Sequence, residues 1–364
     1  PEMKLVQRLA PLVLLLAPPL LHAEGWNFAP GGNFQYDWYR PRADVYPYVD
    51  ADDFRRARIS ATARYGDRWE FKAEYDLEPG QWTDAYAKYS LGGGHSLRIG
   101  QFKQPLFLEE LTSDKVLTFM EQGLPATFAV ARRAGFEYAW VNPDWTLTGT
   151  AYGKNVNANG NSDTLGFAAR GTWVPWRGDG AFVHLGLAAT AEQPDAERAR
   201  FSSRPETGMR QRALVDTGQL GQSETIARMG VEGAWVDGPW SVQGEYTRVD
   251  VSRDGTGDFA GQGWYLNASW FPTGQSRGYK GGVFDGPVFG ESGRNAWELA
   301  LRVSHLDLDD GNVQGGELTD WTAGINWYAS KHLRLTANYV VADSERQGVA
   351  DDPRILQFRA QFTF

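Results

Sequence analysis

Between Trp69 and Leu77 every second residue is apolar (Trp69, Phe71, Ala73, Tyr75, Leu77) and every intervening residue is charged (Glu70, Lys72, Glu74, Asp76). Successive side chains of an extended strand point to opposite faces, so this segment has one greasy face and one face of four charges. A packed core cannot absorb four charges without a large desolvation cost. The segment needs an apolar medium on one side and water on the other, the condition of a strand in a transmembrane β-barrel with a hydrated lumen.

The same two-residue period recurs along the chain. Phe34, Tyr36 and Trp38 alternate with Asn33, Gln35 and Asp37, and Trp297, Leu299, Leu301 and Val303 oppose Glu298, Ala300, Arg302 and Ser304. The last run sets Leu356, Phe358, Ala360, Phe362 and Phe364 against Gln357, Arg359, Gln361 and Thr363. The pattern predicts an all-β fold, an antiparallel transmembrane barrel of about sixteen strands. They fall near 31–40, 52–65, 68–78, 82–91, 94–103, 133–141, 144–154, 164–176, 181–191, 224–236, 239–250, 258–271, 295–307, 318–329, 331–344 and 353–364.

Composition agrees with this reading. No window approaches the roughly 18 uninterrupted apolar residues that a membrane-spanning helix requires. A mean hydropathy of -0.46 fits a barrel in which only alternate residues meet lipid. Fifteen Trp, 15 Tyr, 19 Phe and 42 Gly suit aromatic girdles and tight turns. With no cysteine, disulfides and thiolate metal sites are excluded, and no cofactor is expected. The net charge of -9 suggests neither a nucleic-acid partner nor an anion partner, but fields inside a pore are local. At the N-terminus, Lys4 and Arg8, an apolar stretch from Leu12 to Leu21 and then His22-Ala23 read as a signal peptide over 1–23, leaving a barrel domain over 24–364.

Short turns at Gly66-Asp67, Gly92-Gly93, Asn142-Pro143, Asp237-Gly238 and Ser330 alternate with longer loops at 41–51, 104–132, 155–163, 192–223, 308–317 and 345–352. The 104–132 loop carries Leu108, Leu111, Val116, Leu117 and Met120, too apolar to lie in open water. It is expected to fold into the lumen as a constriction, the alternative being packing between subunits. The Gly-rich segment 272–294 falls on the short-turn side yet is long, and the sequence supplies no reason for it.

Arg56, Arg58 and Arg64 share a parity with Ser60 and Thr62 and should face the lumen, while Arg55 has the opposite parity. Arg98, Arg170, Arg228, Arg302, Arg334 and Arg359 also sit on inward parities. Two readings stay open: these arginines attract anions, or they pair with Glu70, Glu74, Glu232, Glu245 and Glu298 as a wall network.

Several segments carry a family likeness: Phe54-Arg55-Arg56-Ala57-Arg58, Arg98-Ile99-Gly100-Gln101-Phe102-Lys103-Gln104-Pro105, Leu108-Glu109-Glu110-Leu111-Thr112-Ser113, Phe119-Met120-Glu121 and Gly324-Ile325-Asn326-Trp327-Tyr328. With them the chain resembles the phosphate-selective porin O/P family. The resemblance implies a homotrimer of sixteen-stranded barrels, each with its third loop in the lumen and arginines leading anions inward. Arg55 and Arg56 match an arginine pair of the anion path, Asp84 an aspartate near the constriction, and Ser113 one of two loop serines, with Asp114 in place of the second. Glu110 and Glu70 stand where the family has lysines. Arg204 and Arg210 correspond to part of an arginine-rich fifth loop, and Lys280 to a periplasmic lysine.

The expected function is passive diffusion of small anions, phosphate or polyphosphate, across a bacterial outer membrane. Outer-membrane lipid and the barrel-assembly machinery, the latter through Phe364, are the expected partners. A porin without phosphate selectivity is the alternative, because Glu110 reverses the local field. A barrel enzyme is more remote: none of His95, His184, His305 and His332 is followed two residues later by a serine on the same strand face.

Overall fold

The computed structural model describes residues 25–158, 164–208, 212–289, 293 and 295–364; the expected signal peptide and Arg210 lie outside them. Sixteen long strands form one antiparallel sheet. They are β1 Trp26–Arg42, β2 Ala51–Tyr65, β3 Trp69–Asp76, β4 Gln81–Gly92, β5 His95–Lys103, β6 Arg132–Val141, β7 Trp145–Tyr152 and β8 Leu165–Gly178. They continue with β9 Ala181–Gln193, β10 Ser223–Asp237, β11 Trp240–Arg253, β12 Phe259–Trp270, β13 Ala296–Asp310, β14 Val313–Tyr328, β15 Leu333–Arg346 and β16 Arg354–Thr363. β1 pairs with β16 from Asn33↔Thr363 to Arg42↔Arg354, closing the barrel. At that seam the Gly32 N–H donates to the Phe364 carbonyl at 3.0 Å, and a Cβ on residue 32 would lie 2.3 Å from the Phe364 ring. Only glycine lets the last aromatic lie across the first strand.

Alternation decides which side each residue faces. Leu187, Met229, Leu301 and Trp321 are exposed on the outer surface, while Gln35, Asn326, Asn338 and Gln357 are buried inside. Crossing the bilayer takes about 9–11 residues of tilted strand. Strands of 14 to 16 residues from β11 through β15, except the 12-residue β12, therefore overshoot it, and the overshoot on one edge carries inward apolar residues. The segment expected to loop at 308–317 is part of this extension. Its carboxylates are taken up by the ladder: Asp309 accepts from Gly316 N at 2.7 Å and Asp310 from Ala260 N at 2.7 Å, so only a two-residue turn remains.

The 104–131 loop lies inside the barrel. Its Leu106, Phe107, Met120, Leu124, Phe128 and Val130 pack with Phe201, Leu214, Val215 and Leu220 of the 194–222 loop and with wall residues Val249, Leu306, Val340 and Ile355. A one-turn helix, α1 Leu108–Leu111, starts against the wall, where the Glu245 carboxylate accepts both Leu108 N–H and Glu109 N–H at 2.8 Å. A carboxylate at a helix start satisfies donors that have no intrahelical partner.

Within segment 272–294, unexplained by sequence, the described residues 272–289 form a second insertion. Strands Ser276–Lys280 and Val283–Val288 form a hairpin whose Phe284 packs with Leu108, Val174, Phe182 and Val236 inside the lumen. Tyr279 Oη lies 2.6 Å from His184 Nδ1, and Arg170 donates to the Gly282 carbonyl at 2.7 Å. The hairpin comes from the short-turn edge and meets the large loop from the other side: Arg277 Nη1 donates to Thr118 Oγ1 at 2.5 Å.

Replacing Phe284 by alanine removes the side chain that seats this hairpin, a loss of about 3–5 kcal/mol for a buried phenylalanine. The expected outcome is faster tryptic cleavage at Arg277 and Lys280 in the folded barrel, with other sites unchanged.

Candidate functional site

With two insertions filling the side of the lumen toward β8–β16, open space remains against β2–β5. Two cavities sit there one beyond the other. The first, about 430 Å³, is lined by Asn33 on β1, Arg58, Ser60 and Thr62 on β2, Lys72 and Glu74 on β3, Asp84 on β4, Lys103, Arg132 and loop residues Leu111 to Lys115 apart from Thr112. The second, about 760 Å³, is lined by Arg64, Arg68, Glu70, Lys88, His95 and Lys280 among others. Thr62 and Arg64 are two residues apart on β2, as are Lys72 and Glu70 on β3, so the cavities adjoin along one wall.

β-Bulges shape this wall. The β1–β2 ladder pairs Gln35 with Arg56 and Tyr36 with Phe54, leaving Arg55 as the extra residue. A bulge lets consecutive residues share a face, so Arg55 reaches inward despite its parity. A second shift, between Ala73 and Tyr75 of β3, sets Thr83 and Asp84 opposite Glu74 alone. Thr83 Oγ1 donates to Glu74 Oε1 at 2.7 Å, and Asp84 accepts from Lys72 and from Arg132, each at 2.7 Å. On β5, Gly100 has φ +128°, and a Cβ there would come within 2.2 Å of the Ala85 carbonyl oxygen; this close approach to β4 excludes any side chain.

The arginines divide by partner. Arg58 binds Asp76 at 2.8 Å and Asp114 at 2.5 Å, and Arg56 approaches Asp114 at 3.1 Å. Arg55 makes a two-point contact with Glu121, 2.8 Å at both oxygens, near the opposite mouth from Lys280. Arg359 bridges Asp37 at 2.6 Å and Glu121 at 2.9 Å. Arg64 pairs with Glu70 at 2.7 Å, and Arg98 pairs with Glu137 and lies over the Phe102 ring. Arg170 pairs with Glu232, Arg228 with Glu192, and Arg302 with Glu109 and Glu206. The wall-network reading thus describes most of the inward arginines. Glu245 and Glu298 depart from it, holding loop backbone, Tyr265, Thr118 and Asn326 instead.

Of the residues expected from sequence, Arg58, Asp84 and Ser113 line the first cavity, with Arg56 directly behind Asp114. Arg64 and Lys280 line the second cavity. Arg204 lines a separate pocket of about 210 Å³ where 202–207 meets 121–127. Glu110 is buried; its carboxylate accepts from Gln122 at 2.8 Å and lies 3.8 Å from Lys103 Nζ, whose ammonium also donates to the Glu110 carbonyl. The charge reversal at this position is therefore offset by Lys103.

Lys72, Lys103, Lys115, Arg132 and Lys88 also line the two cavities, a role the sequence did not assign to them. Lys72 and Lys88 follow the inward parity of their strands, a signal present in the sequence. Lys115 and Arg132 are brought in by the loop's path, which no local pattern encodes.

The first cavity gathers five cations (Arg58, Lys72, Lys103, Lys115, Arg132) against three carboxylates (Glu74, Asp84, Asp114). Four cations (Arg64, Arg68, Lys88, Lys280) face Asp67 and Glu70 in the second. Both are net positive in a chain that is net negative. Burial would raise the Asp114 carboxyl, but Arg56, Lys103, Arg58 and Arg132 outweigh it and hold that group well below its ordinary value. Each histidine ring among the described residues bonds a group other than serine: Tyr138 for His95, Tyr279 and Glu232 for His184, Thr319 for His305, and the Thr363 carbonyl for His332.

A closed barrel with a greasy exterior, an inserted loop and a positively balanced aqueous path is a porin of the outer membrane. The model of the family "Phosphate-selective porin O and P" matches residues 28–364, and the chain belongs to that family. It is 27% identical to Porin O of Pseudomonas aeruginosa over 88% of this chain and 84% of that protein. Two solved structures share the fold. The anion-selective porin from Comamonas acidovorans superposes with a TM-score of 0.58 at 12% identity, covering 93% of this chain and all of the other. OmpT of Vibrio cholerae in its trimer form gives 0.59 at 10% identity, covering 94% and 100%.

Because its pKa is depressed, the Asp114 carboxylate stabilises the inserted loop fully above the unfolded value near 3.8, and this contribution is lost only as pH falls through the lower folded value. Single-channel conductance is expected to hold constant from neutral pH to about pH 4. Asp114→Asn should reproduce at pH 7 the change that wild type shows only below that range.

Proposed function

We propose that this porin passes small hydrophilic anions by diffusion along the β2–β5 wall, with phosphate-type oxyanions as its preferred solutes. The observation that carries the reading is the excess of cations over carboxylates in both adjoining cavities, against a net charge of -9 for the whole chain. An anion on this path exchanges part of its hydration for ammonium, guanidinium and hydroxyl donors from Lys72, Arg58, Ser60 and Thr62. No covalent step is involved. The preference for phosphate is supported by family membership, while the carboxylates at Glu110, Asp114 and Glu70 lower the positive density that strong phosphate selection needs.

Three copies per assembly fit the outer wall, where small residues align as Ala61↔Ala73↔Ala85 across β2, β3 and β4 and give a flat face for a neighbour. Cleavage after Ala23 and recognition of the C-terminal Phe364 by the assembly machinery complete the export route.

Planar-bilayer recording in a potassium chloride gradient tests the central reading. The expected result is a reversal potential of anion-selective sign and a chloride current reduced by added phosphate. Cation selectivity would overturn it. A detergent-solubilised mass of one chain, instead of three, would remove the trimer.

A further inference from the structure

The cations around the first cavity differ in how completely they are neutralised. Arg58 is shared between Asp76 and Asp114, Lys72 and Arg132 both lie 2.7 Å from Asp84, and Lys103 is held by the carboxylate and carbonyl of Glu110. Lys115 stands apart. Among the described residues no carboxylate oxygen comes within 4.0 Å of its ammonium. Its backbone is nevertheless fixed: the N–H donates to Ser113 Oγ at 3.3 Å and the carbonyl accepts from Gln361 Nε2 at 2.8 Å. The preceding residue is clamped too, since Asp114 is held by Arg56 and Arg58 and its carbonyl accepts from Gln35 at 3.1 Å.

We infer that Lys115 sets anion preference at the first cavity, its unpaired ammonium forming an oxyanion station with the hydroxyls of Ser60, Thr62 and Ser113. A paired cation presents a passing ion with a dipole, whose field falls off faster than that of a charge. A lone cation on an anchored backbone presents a full unit charge within reach of the cavity. All four side chains line the same cavity of about 430 Å³, so an oxyanion there meets a charge and several hydroxyl donors together. Half-burial and the nearby positive charges of Lys72 and Arg58 lower the proton affinity of Lys115, only partly opposed by Glu74. An arriving anion relieves that repulsion, and this favours its entry over that of a cation. The hydroxyls add the preference for oxyanions over chloride.

This inference rests on the anion-channel reading, and the experiment separates the two. Full-length wild type, Lys115→Gln, Lys115→Arg and Lys331→Gln are recorded in a potassium chloride gradient, with inorganic phosphate then added as blocker. Lys331 sits on an exposed turn and removes the same charge away from the cavity. Lys115→Gln should lower the anion-to-cation permeability ratio roughly tenfold, since one unit charge at about 6 Å through water shifts anion and cation about threefold each in opposite senses, and weaken block by phosphate. Lys115→Arg and Lys331→Gln should stay near wild type. To guard against misfolding, a Lys115→Cys variant is treated with a cationic thiol reagent, which should restore the ratio, and with an anionic one, which should lower it further. An anion-selective wild type whose ratio is unchanged in Lys115→Gln overturns the inference and leaves the channel reading intact. A cation-selective wild type overturns both.

Discussion

The structure depends on charge matching between a buried loop and a wet wall. A stretch of 28 residues over 104–131 can occupy the middle of a barrel only if its backbone and carboxylates find partners there. Wall arginines supply them: Arg56 and Arg58 take Asp114, Arg55 and Arg359 take Glu121, and Arg302 takes Glu109. In the other direction, wall carboxylates take loop donors, as Glu245 does at the start of α1. Removing one member of such a pair would leave a buried charge alone, which costs about 3–5 kcal/mol. The arginines are thus committed to architecture before they can act on a solute.

That commitment explains where the pore's selectivity lies. The arginine-rich wall is committed to loop anchoring and to ion pairs within the wall, and the positive balance left over collects where cations outnumber carboxylates along β2–β5. The inserted loop and the hairpin of 276–288 close the lumen from its two edges and meet at Thr118 and Arg277. Their combined bulk confines water to one wall, so a modest excess of charge governs a narrow path instead of being diluted across a wide barrel.

Much of this fold could be read from the sequence, because the two-residue period is local and strong. The Trp69–Asp76 strand and the closing run to Phe364 follow from residue character alone, whereas the apolar third loop is compatible with the lumen or with packing between subunits. What could not be read depends on pairing between distant segments. Arg55 has the wrong parity for the lumen and reaches it through a bulge opposite Gln35 and Tyr36, a property of two strands together. The hairpin of 276–288 is too short to stand as strands in isolation; Phe284, Tyr279 and the Gly282 carbonyl gain their meaning from the wall behind them. The site was partly legible. Arg58, Asp84 and Ser113 do meet in one cavity, but whether a cation is neutralised depends on its neighbour in space, and that separates Lys115 from Arg58.

The central claim, an aqueous path confined to the β2–β5 wall with the opposite side packed solid, is tested most directly by cysteine accessibility, since the chain has no cysteine of its own. Single cysteines at Thr62 and Ser90, which line the two cavities, and at Thr322 and Thr336, which are buried on β14 and β15, would be exposed to a water-soluble thiol reagent during current recording. The account predicts rapid modification with partial block at the first two positions and none at the last two. Modification at Thr322 or Thr336 at a rate matching Thr62 would contradict it.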